Sequence, residues 1–569
     1  MPANTSQDTV VPHIAIKING ALLDDTYLDL LTYAEVDTSL HMPTMFVLQF
    51  HDDELKLVDD PKFKIGAAIE VEMPNTTNQL TSIAKGEITS LEPEFSDHNT
   101  VTFTVRGYDK LHRLGRGTIT MTYQNVTDSD IMSTIAKRNG LQTQITTTSI
   151  KHDHVFQHNL SDLEFLHMLA RRSGLEVYVD DSKLVVQPVS TPRGSATLKW
   201  GQSLRSFRPR LTLSEQVQEV QVKAWDSVQK KVILGKATTS RATPSVGIRG
   251  TAVGLSKEFG NAKTIEVYSP VTTQEAAQKQ AQALLDTIHA NFLEAEGAAF
   301  GDATLVAGCS VTIDGVGRQF SGTYKLSSAV HRYSTQTGYD THFTVEGAQR
   351  HLVADLVTQA SSPTLPGLVI GVVTNSKDPK NMARVRVKLP WLSETDESTW
   401  ARVVMLGGGN NRGLFWLPQV NDEVLVGFEH GDINFPFVIG GLYNSKDAAP
   451  LSAADSVKGG VIQRMLKTDR ISILLKEDAA SEMIEIRDMD NKAVLRMTTK
   501  PQPKIEILCA NGDVMVKAMN ATIDATQKVD VKGLNVNVEA KTQLMLKGAT
   551  VNLEGSGPVV IKGAIVNIN

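Results

Sequence analysis

The last sixty-odd residues alternate between apolar and polar positions in short runs. From Lys504 onward come Ile505-Glu506-Ile507, Val514-Met515-Val516, Val529-Asp530-Val531, Val536-Asn537-Val538, Leu544-Met545-Leu546 and Val551-Asn552-Leu553. A period of two predicts strands with one buried and one wet face. Glycines at 512, 533, 548, 555 and 563, or small polar residues, break the runs every seven to nine residues. Runs this short and even suit a β-helix better than a sandwich. A parallel β-helix built from one chain needs roughly twenty residues per turn, so one chain alone would enclose no core. Three chains around one axis would each supply a wall, in a closed threefold symmetry. Residues 501–569 are therefore expected to form an intertwined trimeric β-helix, or β-prism. The alternative is an ordinary antiparallel domain. The expected trimer core is Val514, Val516, Val529, Val531, Val536, Val538, Leu544, Leu546, Val551 and Leu553.

Upstream, residues 1–360 read as mainly β with helical insertions. Strands are expected near Ile14–Ile18, Met45–Phe50, Ile69–Met73, Ile83–Ile88 and Val101–Val105, then near Leu175–Val179, Leu184–Val189, Ser310–Ile313, Thr323–Ala329 and Thr341–Val345. Their spacing suits two β-barrel units of similar size. Three helices interrupt. The first spans about Asp128–Arg138, with Thr127 or Asp128 as its cap and Gly140 after it. The second spans about Asp162–Ser173 and opens on the capping box Ser161-Asp162-Leu163-Glu164. The third, about Thr273–Leu293, opens on Thr272-Thr273-Gln274-Glu275, read as another capping box.

Pro363 and Pro366 mark a linker, and residues 365–445 form a compact module. Its clearest strand puts Val385, Val387 and Leu389 on one face and Arg384, Arg386 and Lys388 on the other. Short strands near 367–374, 400–405, 414–417, 423–428 and 438–440 complete the pattern of an OB-type barrel. Residues 446–500 read as a connector of charged β segments, Ile471–Leu475 and Met483–Ile486 among them.

Composition narrows the chemistry. The 569 residues carry a net charge of −6, with 41% hydrophobic and 21% charged residues. Several soluble domains fit these values, and a general nucleic-acid binder does not. No signal peptide is visible in Met1–Val11, and no apolar run has the length of a membrane span. The two cysteines, Cys309 and Cys509, form no metal or disulfide pattern, which fits assembly in the cytoplasm. Cys509 shares parity with Ile505 and Ile507 and is expected to face the axis. His152, His154, His158 and His167 gather around the second helix, without a metal-ligand spacing such as HExxH; a polar strand face is the plainer reading. Gly407-Gly408-Gly409-Asn410-Asn411 lacks the Lys-Ser/Thr of a phosphate loop. No catalytic set, metal site or cofactor is expected. A basic barrel face beside Trp391 leaves single-stranded nucleic acid as one competing reading. A carboxylate pair hydrolysing cell wall or polysaccharide is another.

Two stretches carry a resemblance. His158-Asn159-Leu160-Ser161-Asp162-Leu163-Glu164-Phe165-Leu166 with Ser173-Gly174-Leu175-Glu176-Val177-Tyr178 resembles a signature of the VgrG family, although the family tends to have Tyr-Asn-Glu at the first three positions. Ala383-Arg384-Val385-Arg386-Val387, Trp400-Ala401-Arg402-Val403, Phe415 through Val426 and Gly440-Gly441-Leu442-Tyr443-Asn444 resemble the VgrG barrel in order. The resemblance implies a hub over 1–360, an OB-fold over 365–445, a neck over 446–500 and a spike over 501–569. It implies a homotrimer at the front of a hexameric inner tube, held by baseplate proteins, puncturing a target membrane and binding no nucleic acid. Ile565, Val566, Asn567, Ile568 and Asn569 are the expected platform for a tip protein resembling a PAAR-repeat protein. Departures from the signature lean towards a released, phage-tail-like particle.

Overall fold

The computed structural model describes residues 14–568 apart from 98–99, 227–228, 241–244, 249, 268–270 and 347–366. Met1–Val11, the linker prolines and Asn569 lie outside the described residues. The chain divides into two compact units, Met1–Ala448 and Ala449–Asn569.

The first unit is organised by an antiparallel sheet of eleven strands. Its middle is the pair Leu31–Ser39 and Ser328–Ser334, which joins strands from early and late in the chain. On one side follow Met45–His51, Thr100–Tyr108, Leu80–Ser96, Ala68–Pro74, Ala15–Ile18 and Ala21–Leu22. On the other follow Gly338–Val345, Leu293–Phe300 and Leu204–Leu211. The two expected β units thus share one continuous sheet. Each half keeps its own core. In the first half Phe63 meets Phe50 and Phe103 edge-on, both at 5.5 Å. In the second, Phe207 packs edge-on against Tyr324 at 5.3 Å.

The halves share one packing device. Phe46 lies opposite Gly107 on the neighbouring strand, and Phe343 opposite Gly297. A Cβ added at Gly107 would sit 2.1 Å from the Phe46 ring, and one at Gly297 2.2 Å from the Phe343 ring. Each ring fills the space a side chain would take, so an aromatic covers a strand glycine in both halves. At the junction His331 is fully buried, 2.8 Å from the Tyr339 hydroxyl through Nδ1 and 3.0 Å from the Leu305 carbonyl through Nε2. Burial lowers its pKa to about 4, so the ring is neutral at pH 7.

Helices Asp128–Arg138 and Asp162–Ser173 form where their caps place them. Thr127 and Ser161 each accept from the N3 amide while the N3 carboxylate reaches back. Gly174 ends the second helix at φ 68°. The third helix runs Gln274–Ala290, shorter than expected, because the chain turns at Asn291 and enters the strand Leu293–Phe300. Its cap is Thr273, bonded to Ala276 N, so Glu275 falls one place short of the N3 position and no capping box closes. The expected strand Thr323–Ala329 is two strands, Gly322–Lys325 and Ser328–Ser334. Between them Leu326 exchanges backbone bonds with the segment 308–309, and the chain changes sheets.

The module after the linker is a closed barrel of Val369–Asn375, Arg384–Lys388, Ala401–Val403, Pro436–Gly441 and Glu423–Phe428. Val373, Val385, Val387, Ala401, Val424, Val426 and Val438 fill it. The expected strand at 414–417 is a loop: Leu414, Phe415 and Trp416 are exposed and give the run no inner face.

The second unit opens with a five-stranded antiparallel meander, Gln463–Lys467, Ile471–Asp478, Ser481–Asp488, Ala493–Lys500 and Lys504–Cys509. After a turn at 510–511, residues 513–568 follow as an open chain, neither helical nor hydrogen-bonded through its backbone among the described residues.

Candidate functional site

Two kinds of surface stand out: a tightly knit joint between the sheet region and the barrel, and long apolar faces left bare in the second unit.

The joint is built on the helical hairpin. Asp128 and Asp162 are the first residues of their helices, and Arg138 and Arg172 lie in the last turns. The helices are stapled reciprocally. Arg138 donates through Nε to Asp162 Oδ2 at 2.9 Å, and Arg172 through Nε to Asp128 Oδ2 at 3.1 Å. Each carboxylate also touches the second guanidinium nitrogen. Every carboxylate sits at a helix N-terminus and every guanidinium near a C-terminus, so the helix dipoles favour the same arrangement. His152 and Arg172 hold the Asp128 carboxyl well below the usual carboxylate range, and Arg138 lowers that of Asp162.

The strand Lys151–Leu160 carries this hairpin to the barrel. Phe156 is part of the barrel's own core. Its amide donates to Asn434 Oδ1 at 2.9 Å. His154 Nε2 lies 3.0 Å from the Glu397 carbonyl, and Thr122 donates to Asp396 at 2.9 Å. His154, Phe156 and His158 stack along the strand, and His158 meets the edge of Trp391. Burial lowers the pKa of His154 and of His158. Two of the clustered histidines, His154 and His158, therefore serve this seam, whereas His152 lies 3.1 Å from Asp128 in the hairpin and His167 sits on the second helix. Among the described residues no three His, Cys, Asp or Glu side chains gather as metal ligands. Burial pushes the Cys309 thiol up to about 11, away from thiolate chemistry.

Two of the three cations of the basic barrel stripe, Arg384 and Arg386, are engaged within the chain. Arg384 makes a two-point contact with Asp378, at 2.9 and 2.7 Å. Arg386 reaches Glu397 at 3.3 Å and stands over the Trp400 ring at 5.2 Å. Guanidiniums held this way are already engaged by carboxylates and a ring rather than free for a phosphate backbone.

The second unit inverts the usual order of burial. One face of its meander is apolar. Leu466, Ile473, Ile486, Leu495 and Ile507 form one row across the five strands, and Leu475, Ile484, Met497 and Ile505 form a second. All nine are exposed, Ile505 to 72%. Cys509 shares this face by parity and lies opposite Ala493. The other face carries charge: Glu485 is 2% exposed, Arg496 donates to it through Nε at 2.6 Å, and a second Arg496 nitrogen reaches Glu506 at 3.3 Å.

The tail repeats this on a longer scale. It bends at Met519, Thr526-Gln527, Leu534-Asn535, Lys541-Thr542, Ala549, Ser556-Gly557 and Ala564-Ile565, in steps of seven and eight residues by turns. Between bends stand the apolar pairs Val514/Val516, Val529/Val531, Val536/Val538, Leu544/Leu546 and Val551/Leu553, and none of these ten side chains is less than 53% exposed. Ile565, Val566, Asn567 and Ile568 are exposed as well. Bends and pairs together define a fifteen-residue repeat starting at Val514, Val529, Leu544 and Val559. The repeat is present in the sequence, but attention to apolar pairs alone hides it, because half a repeat looks like the whole.

Comparison with known proteins gives the following. The family model described as the Alg8 N-terminal domain matches residues 10–335. That for the type VI secretion system/phage-baseplate injector OB domain matches residues 369–443. The type VI secretion system spike protein VgrG5 of Pseudomonas aeruginosa is 34% identical over 121 residues, which are 20% of this chain and 15% of that protein. VgrG3 of Vibrio cholerae is 30% identical over 103 residues, 17% of this chain and 10% of that protein. The chain thus spans a small part of the length of these relatives. The Francisella PdpA-VgrG complex in its half-lidded form contains a chain of like fold, with a TM-score of 0.52 at 11% identity, covering 88% of this chain and 89% of that one.

Proposed function

From a chain that belongs to the Alg8 N-terminal domain family and folds as a VgrG-like spike, we infer that it is the central spike of a contractile injection machine. Three copies would wind their tails together. The observation that carries this reading is the tail itself: beyond the turn at 510–511, residues 513–568 make no backbone hydrogen bond among the described residues and expose every apolar side chain. Backbone groups left this way need partners, and burial of apolar surface is worth about 25 cal/mol per Å². Two further copies supply both. The bare face of the meander would turn to the same axis and continue the core upward.

On this reading the chain divides as 1–360 for docking on an inner tube, 365–445 for the barrel, 446–500 for the neck and 501–569 for the spike. A hexameric tube protein and baseplate proteins would hold the first part. The exposed Ile565, Val566 and Ile568 of three chains would offer an apolar platform to a PAAR-like tip protein. Assembly would occur in the cytoplasm, in an anchored machine or a released phage-tail-like particle. Among the described residues no helix is long and apolar enough to cross a membrane. The role is mechanical, without a reaction of its own: interlocked chains that separate only by unwinding together resist force kinetically. Native mass spectrometry of the full chain tests the core of this proposal. Three chains per particle are expected, and a monomer at micromolar concentration overturns it.

A further inference from the structure

A charge directly follows seven successive apolar pairs of the tail, the five named above together with Ala521/Ile523 and Val559/Ile561. In chain order the charged residues are Lys517, Asp524, Lys532, Glu539, Lys547, Glu554 and Lys562. The sign alternates without exception through all seven residues. All seven side chains are exposed. None of them makes an ion pair among the described residues, where the one pair in residues 511–568 joins Lys528 to Asp530. Nothing in an isolated chain calls for such alternation, because consecutive members lie seven or eight residues apart on either side of a bend.

We propose that these seven residues form an intermolecular charge ladder on the outside of the trimeric spike, each lysine pairing with a carboxylate of a second copy of this chain. The proposal rests on the trimer inferred above. Within a strand the apolar pair points inward, so the residue one place beyond the second member points outward. In an intertwined prism neighbouring strands on one wall come from successive chains, each one step further along. Equivalent positions then stack at the strand spacing of about 4.8 Å. Lys517 of one copy lies beside Asp524 of the next, which lies beside Lys532 of the third, and so on down the wall. Unlike charges meet at every level. A slip of one chain by one step would set lysine beside lysine and carboxylate beside carboxylate, which opposes the wrong register as well as favouring the right one. The apolar core cannot make that distinction, since every step presents the same kind of pair.

The test uses the full-length protein in three forms. K532E/K547E turns the middle of each column acidic. K517E/D524K/K532E/E539K/K547E/E554K/K562E inverts every sign and restores alternation. Trimer mass is read by native mass spectrometry, and dissociation by the temperature at which the trimer band is lost, at low and high sodium chloride. The acidic form is expected to dissociate several degrees below the natural protein, with the deficit shrinking at high salt as the charges are screened. The inverted form is expected to match the natural protein. An acidic form as resistant as the natural protein overturns the ladder and leaves the trimer standing, as does an inverted form as weak as the acidic one. A natural protein that is itself monomeric overturns the trimer reading beneath it.

Discussion

Changing Arg172 to leucine would release one of the two staples that hold the helical hairpin. The Asp128 side chain is only 4% exposed. Besides Arg172 it keeps the Ser173 hydroxyl at 2.9 Å and His152 Nε2 at 3.1 Å. Removing one partner of a buried ion pair costs about 3–5 kcal/mol. The remaining hydroxyl and imidazole place this case at the low end, about 3 kcal/mol, since the carboxylate stays partly solvated by protein. That corresponds to roughly a hundredfold rise in the opening equilibrium of the hairpin. Amide hydrogen exchange in the intact protein reads it directly: peptides from 128–138 and 162–173 should lose about a hundredfold in protection, while the strand Met45–His51 stays unchanged. Because Phe156 ties this hairpin to the barrel core, peptides of the strand Lys151–Leu160 should follow. Combining R172L with D128N removes the orphaned charge and should recover most of the loss. Exchange unchanged in R172L, or a double variant as unprotected as the single one, would refute the view that the staple holds the hairpin closed.

Acid should act in a defined window. Asp128, Asp162 and Asp378 have lowered folded-state pKa values, so the stability they contribute is complete above pH 4 and is lost as pH falls towards those values. Between pH 6.5 and 4, His331, lowered to about 4, loses stability as its unfolded form protonates, whereas Asp109, raised to about 6 by burial, gains it. Melting temperature should therefore change little from pH 6.5 to 4 and drop steeply below; a steep drop already at pH 6 would contradict this balance. Gly297→Ala forces a Cβ against the Phe343 ring and should cost about 1–3 kcal/mol in thermal denaturation, partly regained with Phe343→Leu; a neutral G297A would show that the ring is free to move.

Local rules were legible in the chain wherever neighbours in sequence do the work. Thr127 and Ser161 fix two helix starts because their partners lie three residues away. Thr272 misled because Thr273 beside it has the same chemistry and takes the cap. The pattern around Val385 and Val387 marked a barrel strand, and both side chains are fully buried. Phe415-Trp416 looked the same in kind yet lies on the surface, since hydrophobicity alone does not say which side of a wall a residue occupies. The staples could not be read, because Arg138 and Asp162 are 24 residues apart and Arg172 and Asp128 are 44. Nor could the joining of two β units into one sheet, which depends on Ser328–Ser334 pairing with a strand almost three hundred residues earlier.

The alternating steps of seven and eight residues also set how such a protein can change length. Adding one step alone would bring equal charges together at the join and shift every level below it. Adding fifteen residues preserves both the bends and the signs, and in the proposed trimer would lengthen the spike by two strand spacings, roughly 10 Å. On the trimeric ladder proposed above, a tail would change length in whole units of fifteen residues, so related tails should differ in reach by a fixed quantum.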